Sequence, residues 1–125
     1  MHINRAEQGI IEALEALAEF LNKASLLGRA NRIESLKEQL LQGQSEPVIE
    51  ALLGVEFWGS AGSYLDLVIC RESFPSLPND TDSAALNREY ISLLFRLADS
   101  LKQAHLSSHW LDSAYEILRK WAGSL

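Results

Sequence analysis

The sequence predicts an all-α fold, a single-domain bundle of five to six helices over residues 1–125, and three observations predict it. Apolar residues recur at three- and four-residue spacing along most of the chain, the period of a helix with one covered face. Glycines, prolines and capping residues punctuate that pattern every ~10–20 residues, the length of ordinary helices. With 125 residues, 47% of them hydrophobic and 22% charged, the chain has the size of one domain. It can bury roughly two-thirds of its unfolded surface, enough for a core without disulfides or metals.

Residues 5–27 form the clearest helix. Ile10, Leu14, Leu17, Leu21 and Ala24 make one apolar stripe, and Ile11, Ala18 and Phe20 widen it, so more than one neighbour covers it. Glu12, Glu15 and Glu19 share another face, and Gly28 supplies the stop through the left-handed conformation that ends helices. Residues 31–42 give a second helix with Ile33, Leu36, Leu40 and Leu41 inward, ended by Gly43. In a short third helix Ser45 is the cap, Pro47 occupies the first turn, where no N–H donor is needed, and Val48, Ile49, Leu52 and Leu53 follow before Gly54.

The next stretch, Phe57-Trp58-Gly59-Ser60-Ala61-Gly62-Ser63-Tyr64-Leu65-Asp66-Leu67, breaks the pattern by setting glycines and serines among large aromatics. Ser63 and Asp66 have the spacing of a capping box, which would start a fourth helix with Leu65, Leu67, Val68 and Ile69 inward. The run Leu67-Val68-Ile69-Cys70 fits a strand equally well, because periodicity does not separate the two over so few residues. Residues 71–82, with Pro75, Pro78 and Asn79, form the longest loop. Asp82 then caps a long helix with Leu86, Tyr90, Leu93, Leu94, Leu97 and Leu101 inward. The pattern breaks at residues 105–108, and a last helix carries Trp110, Leu111, Ala114, Ile117, Leu118 and Trp121 inward as far as Gly123.

The net charge of −6 is unevenly placed: residues 1–82 hold thirteen acidic and six basic side chains, and residues 83–125 hold four and five. Such a balance argues against a nucleic-acid reader, which needs a basic patch, and favours a basic protein partner. Glu7, Glu12, Glu15 and Glu19 form an acidic row able to steer that partner, most strongly at low salt. Cys70 is the single cysteine and cannot form a disulfide within the chain; its apolar neighbours suggest a buried, inert thiol in a reducing compartment. Charged residues such as Glu7 and Glu12 stand where a secretory signal needs an apolar run, and no apolar stretch is long enough to cross a bilayer. The expectation is a cytoplasmic protein without membrane contact.

No constellation of catalytic residues emerges. His105, His109 and Asp112 would share one face of a continuous helix and could hold a transition metal, but Leu106-Ser107-Ser108 between them reads as a helix break. Gly62-Ser63 lacks the Gly-x-Ser-x-Gly elbow of a hydrolase, and Gly59 and Gly62 lack the lysine of a phosphate-binding loop. Glu12, Glu15 and Glu19 line one exposed helix face and do not converge as an acid–base pair does. The expectation is therefore no enzyme, no metal and no cofactor.

The segment from Phe57 to Leu67 resembles a motif in a family of small bacterial helical domains of unknown function. In that family an aromatic-Gly-Gly-x-Gly-Ser-aromatic-x-Asp-Leu stretch follows a helical N-terminal half and precedes a Pro-containing loop and a long helix. Trp58, Gly59, Gly62, Ser63, Tyr64, Asp66 and Leu67 match, whereas Ser60 replaces the second glycine. The order of elements over residues 5–104 also fits. Small acidic proteins of this type are often encoded beside secreted bacterial toxins, and the resemblance implies an immunity protein that occludes a cognate toxin. Glu12, Glu15 and Glu19, with Trp58, Tyr64 and Asp66, are then the expected partner-binding residues, on a monomer or homodimer. The alternative is a homo-oligomeric scaffold or adaptor that buries the apolar excess of its first and last helices between subunits.

Overall fold

The computed structural model describes residues 4–123 apart from 60, 71–73, 76 and 79. The helices are α1 (Arg5–Lys23), α2 (Leu27–Leu41), α3 (Ser45–Leu52), the single turn α4 (Val55–Trp58), α5 (Ser83–Gln103) and α6 (His109–Gly123). No strand occurs among the described residues, so the fold is the all-α bundle that the periodicity predicts. α1 lies between α2 and α5, and α5 packs α6 against its other side. α3 and α4 bridge from α2 to α6 and close the ring, so α1 and α6 do not touch.

α1 supplies the largest share of the core, with Ile10, Ile11, Ala13, Leu14, Leu17, Ala18, Phe20 and Leu21 all buried. Each large apolar side chain among them contributes about 1.5–3 kcal/mol of transfer free energy. Asn4 caps the helix by accepting the Glu7 N–H at 2.8 Å. Its end departs from the sequence reading. The chain turns at Ser25 in the left-handed region (φ 65°), the Leu26 N–H reaches the Leu21 carbonyl, and Gly28 sits inside the first turn of α2. Backbone hydrogen bonds close this turn, so the stop needs no glycine, although Ser25 bears a strain of ~1–2 kcal/mol. Gly43 (φ 85°) does end α2 as expected. Ser45 is the first helical residue of α3 and not its cap; its hydroxyl reaches the Glu7 carboxylate at 3.4 Å and ties α3 to α1.

Asp82 caps α5 as predicted, accepting the Ala85 N–H at 3.0 Å. The break expected at 105–108 is a built corner: His105 takes a φ of 62°, and the Ser108 hydroxyl accepts the Leu111 N–H while donating to the Leu53 carbonyl at 2.6 Å. One serine thus caps α6 and pins it to the end of α3. Across the corner, Lys102 pairs with Asp112 at 2.8 Å and the Tyr115 hydroxyl donates to Asp99 at 3.2 Å.

Further expectations fail. Residues 64–70 are neither helix nor strand; after a turn, residues 67–70 are irregular, with no strand beside them among the described residues. Only part of the apolar face of α6 is covered. Leu111, Ala114 and Leu118 are buried, but Trp110, Ile117 and Trp121, expected inward, are 41%, 39% and 44% exposed. Leu41 likewise lies at the surface. None of the helices among the described residues is long and apolar enough to cross a membrane.

Candidate functional site

The glycine- and aromatic-rich segment folds back on itself. Trp58 ends α4 with its indole N–H on the Leu52 carbonyl at 2.6 Å. The chain then reverses, so that the Tyr64 N–H donates to the Glu56 carbonyl and the Leu65 N–H to that of Phe57. This pairing stacks the Phe57 and Tyr64 rings, with centroids 4.4 Å apart and planes 9° from parallel. Tyr64 is the node of the arrangement: its hydroxyl donates to the Arg29 carbonyl at 3.0 Å, and its own carbonyl accepts the Tyr90 hydroxyl at 2.7 Å. Burial pushes the Tyr64 phenol up to about 12, against the opposing pull of Arg29. Burial raises Tyr90 as well.

Both glycines of the segment have identifiable reasons. A Cβ on Gly59 would stand 2.6 Å from the Val55 carbonyl oxygen, inside contact distance of backbone that cannot move away. Gly62 has open space around it but a φ of 88°, which favours glycine. Ser60, where the sequence leaves the family pattern, lies outside the described residues. Ser63 and Asp66 form only half of the expected box, and no helix follows it. The Ser63 hydroxyl accepts the Asp66 N–H, and the Asp66 carboxylate accepts the Gly62 N–H at 3.3 Å. The helix is lost because Asn87 of α5 takes both backbone groups of Ile69, each at 2.9 Å. One amide side chain does for this segment what a neighbouring strand would do.

Around this loop the surface is concave. An open groove of about 560 Å³ is lined by Arg29 and Arg32 of α2, Val55 and Glu56 of α4, Tyr64, and Trp110 of α6. Arg32 and Glu56 form a two-pronged pair at 2.7 and 2.9 Å. The Arg29 guanidinium lies 4.9 Å above the Tyr64 ring and donates to the Gly62 carbonyl at 3.2 Å. A second, apolar groove of about 460 Å³ is walled by Leu65, Leu67, Val68, Ile91, Leu94 and Trp121. The exposed row of α6 therefore has one tryptophan in each groove, with Ile117 between them in sequence.

The residues expected to bind a partner are dispersed. Glu12, Glu15 and Glu19 are exposed on α1, where Glu12 accepts the Gln8 amide and faces Arg96 at 3.9 Å. Trp58 and Tyr64, expected as presented anchors, are each 3% exposed and belong to the core. Asp66 is at the surface, engaged in its turn. The acidic row thus lies on a helix that touches neither α4 nor α6. Sequence reasoning missed Arg29 and Arg32 in the groove and the outward position of Trp110. The available signal was the breadth of the α6 apolar face, which exceeds what one neighbouring helix can cover.

His105 lies in the corner, the His109 ring sits against Trp110, and Asp112 is engaged by Lys102. No three metal-ligating side chains come together among the described residues. Cys70 is half-buried, less enclosed than its apolar neighbours in sequence suggest. No protein-family model, curated protein or solved structure matches the chain.

Proposed function

We propose that this chain is a non-catalytic binding protein of the immunity type, which neutralises a cognate toxin by docking on it and occluding its active site. The observation that supports this reading is the part-exposed aromatic face of α6. Trp110, Ile117 and Trp121 stand at i, i+7 and i+11, all more than a third exposed, although a soluble monomer gains from burying them. Tryptophan is among the residues that concentrate binding free energy when a partner excludes water from them. The resemblance of residues 57–67 to a family of small bacterial helical domains, of a kind often encoded beside toxins, suggests the kind of partner. The acidic row on α1 adds a field that speeds encounter with a basic one.

Co-expression with the polypeptide encoded beside it tests the proposal. The expected result is restored growth and a 1:1 complex by light scattering. Trp110→Ala with Trp121→Ala should weaken that complex by about 1–3 kcal/mol, roughly ten- to a hundred-fold. Reversing Glu12, Glu15 and Glu19 to lysine should slow association and flatten its salt dependence. Absence of any stoichiometric complex overturns the reading.

A second reading, a homo-oligomeric scaffold or adaptor, is favoured by the same face. The α1 stripe is covered within the fold, so of the two terminal helices only α6 has apolar surface to share between subunits. A monomer at micromolar concentration rules it out.

A further inference from the structure

We infer that the groove between α2, α4 and Trp110 is a binding site for a carboxylate, an acidic side chain flanked by apolar residues in a segment of the protein partner. The inference rests on the binding-protein reading above and specifies the chemistry that reading leaves open. The chain carries a net charge of −6, yet the charged residues lining this groove are Arg29, Arg32 and Glu56, a local excess of one positive charge.

That excess is localised. Arg32 is committed to Glu56 through two short hydrogen bonds. Arg29 makes no ion pair among the described residues, and its one side-chain hydrogen bond goes to the Gly62 carbonyl. A guanidinium has five N–H donors, so most of those of Arg29 find no acceptor among the described residues. Its position over the Tyr64 ring is nevertheless fixed, which lowers the entropy cost of holding a ligand. The indole N–H of Trp110 also lacks an acceptor among the described residues, and exposed Val55 supplies an apolar wall. A cation held over a ring, a neutral N–H donor and an apolar wall suit a carboxylate on a peptide better than a hydrated free anion.

Two peptides, acetyl-Leu-Glu-Leu-amide and acetyl-Leu-Gln-Leu-amide, test this with the full chain, read on the Trp110 indole and Arg29 guanidinium NMR resonances. The glutamate peptide should shift both resonances and bind at least ten-fold tighter than the glutamine peptide. Trp110→Phe, which keeps a ring but removes the N–H, should weaken binding several-fold, and Arg29→Gln should abolish the preference. Because Arg29 also holds Gly62 and Tyr64, loss of fold in that variant shifts the decision to 0.5 M salt, which should shrink the preference several-fold in the unaltered protein. Equal binding of the two peptides overturns the proposal, and so does saturation of the same resonances by inorganic phosphate at the same concentration. Neither peptide requires the toxin. A chain that neutralises a toxin without preferring the glutamate peptide refutes the carboxylate site alone, and the converse result refutes the immunity reading alone.

Discussion

α1 and α6 are about equally amphipathic and differ in what the fold does with that property. α1 has neighbours on two sides, α2 and α5, and its eight buried residues leave no large apolar side chain outside. α6 has α5 on one side and only the single turn α4 on the other, and Trp110, Ile117 and Trp121 remain at the surface. Helical periodicity tells which residues share a face. Whether that face is covered depends on how many neighbours the topology provides, and in α6 the shortfall leaves apolar surface part-exposed.

The sharpest way to break the comparison is to truncate both helices. Leu17 is fully buried on α1, the helix between α2 and α5, and Leu17→Ala should cost about 2–5 kcal/mol in denaturant unfolding. Ile117→Ala, equally central to its helix, should cost below about 1 kcal/mol. A comparable loss at both positions would mean that the α6 face is covered in solution, by a second copy or otherwise.

The same asymmetry explains what the sequence made legible. The fold class, the Asp82 cap and the break at 105–108 follow from local rules, since apolar spacing and capping act within a few residues. Ser25 in place of Gly28 as the turning point was not legible, because backbone bonds chosen by the packing of α2 hold the strained residue. Nor was the irregular run at 67–70, in which Ile69 is held by Asn87, a residue far along the chain whose position in a helix gives no sign of that task. The site suffered most. The aromatics of the 57–67 segment announce an unusual structure, yet they serve the core, and the arginine above Tyr64 comes from another helix altogether.

The loop that follows α4 can be compared with itself. Gly59→Ala places a Cβ against the Val55 carbonyl, and overpacking of this kind should cost about 1–3 kcal/mol. Gly62→Ala meets no atom and pays only for its positive φ, about 1 kcal/mol. The order of the two in thermal unfolding checks the tight reversal after α4. Equal effects would place the strain elsewhere.

The two halves of the core should also part company at high pH. The α1 contacts are largely hydrocarbon and indifferent to protons, whereas the loop is tied to α5 and α2 through the neutral phenols of Tyr64 and Tyr90. Both hold their protons more tightly folded than unfolded, Tyr64 up to about 12 and Tyr90 raised in the same direction by burial. The unfolded chain ionises first, so the stabilisation is complete below pH ~10 and should fall above it by about 1.4 kcal/mol per pH unit for each tyrosine. Tyr90→Phe removes one of these protons and should make the alkaline slope shallower by about that amount.

The smallest expected effect is on α1 itself. Glu12, Glu15 and Glu19 are exposed, and the pair of Glu12 with Arg96 spans 3.9 Å between half-exposed side chains, a contact worth at most about 1 kcal/mol. Changing all three to lysine should therefore leave the unfolding free energy within about 1 kcal/mol of the original while moving the net charge from −6 toward zero. That indifference makes the triple variant useful. A loss of binding to the proposed partner in a protein that unfolds normally would assign the charge row to encounter with it, on the opposite side of the ring from the aromatic face. Unchanged binding at low salt would leave α6 as the only surface the partner needs.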